Sequence, residues 1–360
     1  MMSSIQAVAI LGAAFLMCSM CGGCGEGADN EPIFSSVGSY GDMAVVTSSP
    51  ELYGVASSFL DRLSPDVTFV IKKEETYRFQ HYTGKDWKSG RNYRNLLFLV
   101  RWGDGGPVEK EIRSLISSET LDRLTTGSGG VITLRDPYFR NQLAYIAVSV
   151  DRNQLASLLK RNAPALIDTL AADIHRRMAR DARRAGISDE AIQRDWNRYG
   201  FWLEIPRSFS ENQFEPDGFP GVEWLYTSAE GTSDGLTYAW LDTDDPEALL
   251  GDQEALTAFR REIGAIMHDD SELHDLSLQW SDELVAGQTA VRLDGAWASR
   301  KASVGGPFRS YFIAVPERDY ILCVDLLVYA PNREKMDDMR RLRAIVETLS
   351  FSAPAVERGN

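Results

Sequence analysis

Charge is missing from the front of this chain: no Asp, Glu, Lys or Arg occurs between Met1 and Gly25. Histidine is scarce, with four in 360 residues, and so is cysteine, with four. No apolar run is long enough to cross the ~30 Å hydrocarbon layer of a membrane as a helix. These absences exclude a polytopic helical membrane protein, a disulfide framework and a histidine-rich metal protein. Basic charge is also in deficit. The 38 Lys and Arg stand against 52 Asp and Glu, a formal net charge of −14, which disfavours general nucleic-acid binding. What remains, 44% hydrophobic and 25% charged, is ordinary globular composition.

The uncharged start has an internal order. Ala7–Met17 is an apolar run of signal-peptide length, followed by small residues and by Cys18, Cys21 and Cys24. A bacterial lipoprotein signal ends at a cysteine preceded by small residues, and the new N-terminal cysteine takes the lipid. Cys24, behind Gly22 and Gly23, fits best, although no Lys or Arg precedes the apolar run. A plain secretory signal is the next reading. An iron–sulfur or zinc site at the same cysteines lacks a fourth ligand nearby, because Cys323 lies in the apolar run YILCVDLLVYA and reads as a buried thiol. The sequence therefore predicts a lipid-anchored protein of the cell envelope, at the periplasmic or surface face of an outer membrane. Its signal spans residues 1–23 and a Gly-, Ser- and acid-rich tether spans 24–42.

Beyond the tether, the patterning predicts an α+β fold. Two α/β-sandwich-like domains with mostly antiparallel sheets, at 43–150 and 201–353, flank a helical segment at 151–200. In the first domain the helix after Ser49-Pro50 carries Leu52, Val55, Phe59 and Leu63, and Val108–Leu124 reads as one amphipathic helix. Pro164 is expected to divide the helix that starts at Arg152, and Gly200 to end the segment. In the last domain Arg309–Val315 and Tyr320–Tyr329 form an antiparallel pair. A terminal helix starts at Arg333 with Asn332 as its cap and buries Met336, Met339, Leu342, Val346 and Leu349.

Gly295-Ala296-Trp297, Gly305-Gly306-Pro307-Phe308 and Val328-Tyr329-Ala330-Pro331 before the terminal helix resemble the DUF4837 family of envelope lipoproteins. Gly38-Ser39-x-Gly41, Arg94-Asn95 and Ile205-Pro206 fit the same resemblance, which thus extends over nearly the whole mature chain. It implies an envelope lipoprotein of unknown function and no enzyme class. Glu26, Asp29 and Glu31 resemble an acidic signal for export to the cell surface, and the last region is similar to the Mog1/PsbP-like sandwich of accessory binding proteins.

Candidate chemistry is sparse. Gly231-Thr232-Ser233-Asp234-Gly235 matches G-x-S-x-G, but strand-like runs on both sides make it a hairpin rather than a nucleophile elbow. His268 and His274, with four carboxylates between and beside them, are weak metal candidates. Their spacing puts them on different faces of a helix, so no metal is assigned. Asp242–Glu247 reads as an acidic turn that caps the next segment. Arg176, Arg177, Arg180, Arg183 and Arg184 are the one basic cluster. A solvated face is the bland reading, and contact of Arg176, Arg180, Arg183 and Arg184 with anionic headgroups or an envelope polymer is the functional one. Trp297, Gly305, Gly306 and Phe308 are the candidate ligand wall, with a structural turn the commoner role for such a segment. No catalytic set and no cofactor motif stands out. The reading is a non-catalytic binding or accessory module partnered with the membrane through its lipid, and with an envelope protein or polymer. An envelope hydrolase or metal-dependent enzyme is the alternative.

Overall fold

The computed structural model describes residues 35–64, 66–69, 72–214, 221–228, 231–267, 271–299 and 301–354, within the unit Phe34–Asn360. The predicted signal, Cys24 and most of the tether lie outside the described residues. The fold is α+β, as the patterning predicts.

The first half runs β1 (Asp42–Thr47), α1 (Tyr53–Leu63), β2 (Asp66–Phe69), β3 (Lys72–Glu75), β4 (Arg78–Thr83), α2 (Trp87–Gly90), β5 (Asn95–Arg101), α3 (Pro107–Leu115), α4 (Ser118–Thr126), β6 (Gly130–Arg135) and β7 (Leu143–Ser149). Its five-stranded sheet has the order β4-β1-β5-β7-β6. The pairs β1–β4, β1–β5 and β5–β7 are parallel, and β6–β7 is antiparallel. This sheet is therefore mixed, where a mostly antiparallel one was expected. The cause is in the strands: β7 is buried at every position and β5 at all but its last, because helices cover both faces. One face holds α1 and the long helix α5 (Arg152–Arg184), and the other holds α2, α3 and α4.

The second half follows α6 (Asp189–Tyr199) with β8 (Ser210–Phe214), β9 (Gly221–Thr227), β10 (Ser233–Asp242), α7 (Pro246–Leu250), α8 (Gln253–Met267), β11 (Ser271–Leu273), β12 (Gln279–Val285), β13 (Gln288–Ser299), β14 (Val304–Val315), β15 (Tyr320–Tyr329) and α9 (Met336–Val346). Its antiparallel sheet has the order β11-β13-β14-β15-β10-β9-β8, with β12 also on β13. Aliphatic residues of β9, β10, β14 and β15 pack on α9 and on the segment around Phe201–Ile205. The opposite face packs Leu256, Phe259 and Ile263 of α8 against Trp297, Phe308, Phe312 and Cys323.

Local rules hold at several ends. Ser188 caps α6 by accepting from Ala191 N–H, and Gly200 closes it at φ 72°. Asp245 caps α7 through Ala248 N–H. The Gly231–Gly235 segment is the β9–β10 hairpin, with Ser233 paired to Thr227.

Four expectations are corrected. Val108–Leu124 is two helices, because Ser117 turns the chain and caps a new start by accepting from Thr120 N–H. The terminal helix starts at Met336, with Lys335 in the cap position and no side-chain cap from Asn332. Gly305–Phe308 is strand rather than turn, paired with Ala298–Gly295 across β13. Finally, α5 runs unbroken through Pro164. Pro164 sits on the exposed side of that helix, so the carbonyl it leaves unbonded faces water. The other side buries Leu155, Leu159, Ala163, Leu166, Leu170, Ile174 and Met178, and this packing outweighs the local penalty.

The continuity of α5 predicts that Pro164→Ala, which restores an N–H donor in an exposed helix interior, raises stability by about 1–3 kcal/mol. Thermal unfolding checks this, and an unchanged or lower midpoint would contradict it.

Candidate functional site

Of the predicted ligand wall, Trp297, Gly306 and Phe308 are interior and Gly305 is half-buried. Trp297 and Phe308 are buried in the α8-side core. Gly306 lies opposite Trp297 in the β13–β14 register, and a Cβ on it would fall 1.9 Å from the carbonyl oxygen of Val328. A Cβ on Gly305 would fall 2.6 Å from the carbonyl oxygen of Trp297. These glycines let backbone approach backbone beside an indole, which is how a filled core uses them. His268 lies outside the described residues. His274 is exposed and its N–H donates to Ala296 O, and no group of three or more metal-binding side chains occurs among the described residues.

The arginine cluster on α5 separates into different roles. Arg177 is buried, donating to Asn141 O at 2.8 Å and Asn95 Oδ1 at 2.6 Å, with Asp173 Oδ2 2.7 Å from its Nε. Burial pushes its guanidinium down to about 10, so it stays charged at neutral pH. Asp173 also pairs with Arg135 and Arg176, so one buried carboxylate serves three guanidinium groups. Arg180 donates to Asn141 Oδ1, and Arg184 lies 3.6 Å from Asp181. Arg176 and Arg183 remain more than half exposed, Arg183 against Glu204.

Arg176 and Arg183 flank a groove of about 470 Å³ between α5 and α9. The helical row Asp168, Ala171, Ala172, His175, Arg176, Ala179 and Arg183 forms one wall. Arg343, Ala344, Glu347 and Thr348 form the other. Alanines line the floor and polar groups rim it. His175 Nδ1 lies 2.8 Å from Glu347 Oε1, and Arg343 Nε donates to the same oxygen at 3.2 Å. Burial works to raise the Glu347 carboxyl, but the His175 and Arg343 contacts outweigh it and hold the group below its ordinary value. Three guanidinium groups and an imidazole therefore converge over two carboxylates in a chain of net −14.

Sequence reasoning found Arg176 and Arg183 but missed His175 beside them on α5, and missed Arg343 and Glu347 because the second wall comes from the far end of the chain. The alternation of Ala with charge along 168–183 was the one local signal.

At its start α9 carries a second ionic cluster. Asp338 accepts from Arg333 Nη2 at 2.8 Å and from Arg341 Nη2 at 3.2 Å, and Arg341 also pairs with buried Asp234. Burial, reinforced by the charge of Asp234, pushes Asp338 up to about 6 against the opposing pull of Arg341 and Arg333. Burial also raises Asp234.

The class defined by these features is an α+β protein whose two larger sheets are each layered between helices, with a cation-rimmed groove between α5 and α9. The sequence comparisons then add a family resemblance. Residues 196–348 match the model for DUF4837, a domain of unknown function. No curated protein matches the chain. Among solved structures, LpqN of Mycobacterium tuberculosis, involved in cell envelope biogenesis, is 15% identical over 42% of this chain and 82% of its own, at a TM-score of 0.28. PA94 of Pseudomonas aeruginosa, a protein of unknown function, is 22% identical over 36% of this chain and 76% of its own, at a TM-score of 0.21. At these scores neither likeness carries an argument.

A raised carboxyl binds its proton more tightly in the folded state than in the unfolded one. Its stabilising contribution is present below the unfolded value of about 4 and is lost as pH rises through about 6. Asp338→Asn, neutral throughout, is therefore expected to gain about 2–3 kcal/mol on the parent between pH 4 and pH 7. Denaturant unfolding at both values checks this, and a difference that is flat or reversed with pH contradicts it.

Proposed function

We propose that this chain is a lipid-anchored protein of the bacterial cell envelope, acting as a non-catalytic binding module whose α5–α9 groove engages anionic headgroups at the membrane. The groove carries this reading: it gathers Arg176, Arg183, Arg343 and His175 on an otherwise acidic protein. The uncharged stretch before Gly25, with Cys24 behind two glycines, supports the lipid anchor and the envelope location. A lipid at Cys24 holds the folded part near a surface where each nearby basic side chain adds about 1 kcal/mol of attraction. No helix of the described residues is long and apolar enough to cross a membrane, so the anchor in this account is the lipid.

The chemistry of the groove suits binding. Each cation sits against a carboxylate that fixes its position, as Glu347 does for Arg343 and Glu204 for Arg183, and an anion from outside completes the remaining donors. Outer-membrane surfaces and the periplasm both present such anions.

Two measurements test this reading. In cells, Cys24→Ala is expected to abolish incorporation of labelled palmitate and to move the protein from the membrane to the soluble fraction. In vitro, the chain lacking residues 1–24 is expected to sediment with phosphatidylglycerol vesicles and not with phosphatidylcholine vesicles. Arg176→Gln/Arg183→Gln/Arg343→Gln should weaken that binding about tenfold or more, and it should fall with salt. Unchanged binding by the triple variant would remove the groove from the account, and palmitate label retained by Cys24→Ala would remove the anchor.

A further inference from the structure

Among the described residues, β12 forms an outer edge of the eight-stranded sheet, and its one ladder partner is β13. The two strands turn through Ala286 and Gly287, at φ 52° and 79°, the positive-φ pair of a tight two-residue hairpin. Val285 and Gln288 flank that turn, so they and every second pair beyond them exchange the ladder bonds. The backbone groups of Trp280, Asp282 and Leu284 consequently point away from β13, and no described backbone group bonds to them. Natural sheet edges are blunted by charge, proline or bulges. This one has charge, yet it also leaves the Leu284 side chain 76% exposed.

Hollows flank the strand on both faces. One, of about 730 Å³, is lined by Glu247, Leu250, Asp282, Leu284 and Val291. The other, of about 270 Å³, has Val285, Tyr311 and Val346 in its walls together with Glu283, Arg343 and Glu347. A strand laid along β12 would direct alternate side chains into the two hollows in turn, which is how an added strand acquires both affinity and specificity.

We propose that the outer edge of β12 is a docking site for an extended, basic segment of a partner protein, added to the sheet as a further strand. Charge decides the occupant. The larger hollow presents Glu247, Asp282 and Glu283 and no cation of its own, although Glu283 is partnered by Arg292 across the hairpin. Side chains entering there are lysine or arginine. Those turned to the other face meet a mixed wall, Leu284 and the edges of Val285, Tyr311 and Val346 between Glu283, Arg343 and Glu347, where short apolar side chains fit without adding charge. A second copy of this chain is the wrong occupant, since pairing β12 with β12 sets Asp282 and Glu283 against their own counterparts. Arg343 and Glu347 border both the smaller hollow and the α5–α9 groove, whereas the larger hollow, with Glu247 and Asp282, shares no residue with the groove.

The test uses the chain lacking residues 1–24 and a fluorescein-labelled peptide of about eight residues alternating lysine and valine, enough to run along β12. Saturable binding is expected by anisotropy, with the glutamate–valine counterpart about tenfold weaker or worse. Leu284→Pro removes only an outward-pointing N–H and should weaken binding about tenfold or more. Asp282→Lys/Glu247→Lys, both at exposed side chains, should do the same with the thermal midpoint unchanged, and it decides the matter if Leu284→Pro fails to fold. The proposal is overturned by equal affinity for the two peptides or by undiminished binding in the charge-reversed variant. A concentration-dependent dimer that Leu284→Pro abolishes would also overturn it.

Discussion

Burial of α9 is the constraint on which the rest of the molecule depends. Met339, Leu342, Ile345 and Val346 pack into the core beneath the antiparallel sheet, while Ala344 belongs to the core that α1 and α5 share with the mixed sheet. At about 1.5–3 kcal/mol for each large side chain removed from water, those four positions outweigh any single polar contact in the interface. Polar anchors then fix its direction. Glu74, buried on β3, accepts from Lys335 N–H at 2.7 Å and lies 3.0 Å from Lys335 Nζ. Arg340 donates to Thr76 O, Arg78 pairs with Glu334, and Ser39 donates to Asp337. A helix near the end of the sequence is thereby bound to residues near the beginning of the fold.

That placement creates the groove. Because α9 lies against α5, the charged row of α5 acquires an opposing wall, and His175 meets Glu347 across it. Arg343 and Glu347 also border the smaller hollow beside β12, so the same helix shapes one side of the strand edge. Movement of α9 would alter both surfaces together. With Asp338 pushed up to about 6, the attachment at its first turn weakens as pH rises through that value.

Much of the fold was legible from periodicity. Of the predicted stripe, Met339, Leu342 and Val346 lie on the buried face of α9, Leu349 is buried just beyond its end and Met336 is only half-buried, and the runs NLLFLV and QLAYIAVSV name two central strands. Their unbroken hydrophobicity also held the clue to parallel pairing, since strands covered on both faces need no alternation. Pro164 misled because a local rule was weighed without the packing that overrides it. Gly305–Phe308 misled because glycine beside proline signals a turn, whereas here the missing Cβ atoms admit a neighbouring strand. Of the candidate site, Arg176 and Arg183 stood out as charges against an acidic background. Their partners Arg343 and Glu347 could not, because contact between positions so far apart in sequence follows only from tertiary packing.

Hydrogen exchange of the Leu342→Ala variant tests the central claim most directly. If α9 holds both sheets, shortening this one side chain should accelerate amide exchange in β15 and equally in β5, which Leu342 does not touch within its own core cluster. Acceleration confined to β15 and its neighbours, with β5 exchanging as in the parent, would show that the mixed sheet stands without α9 and would contradict the account.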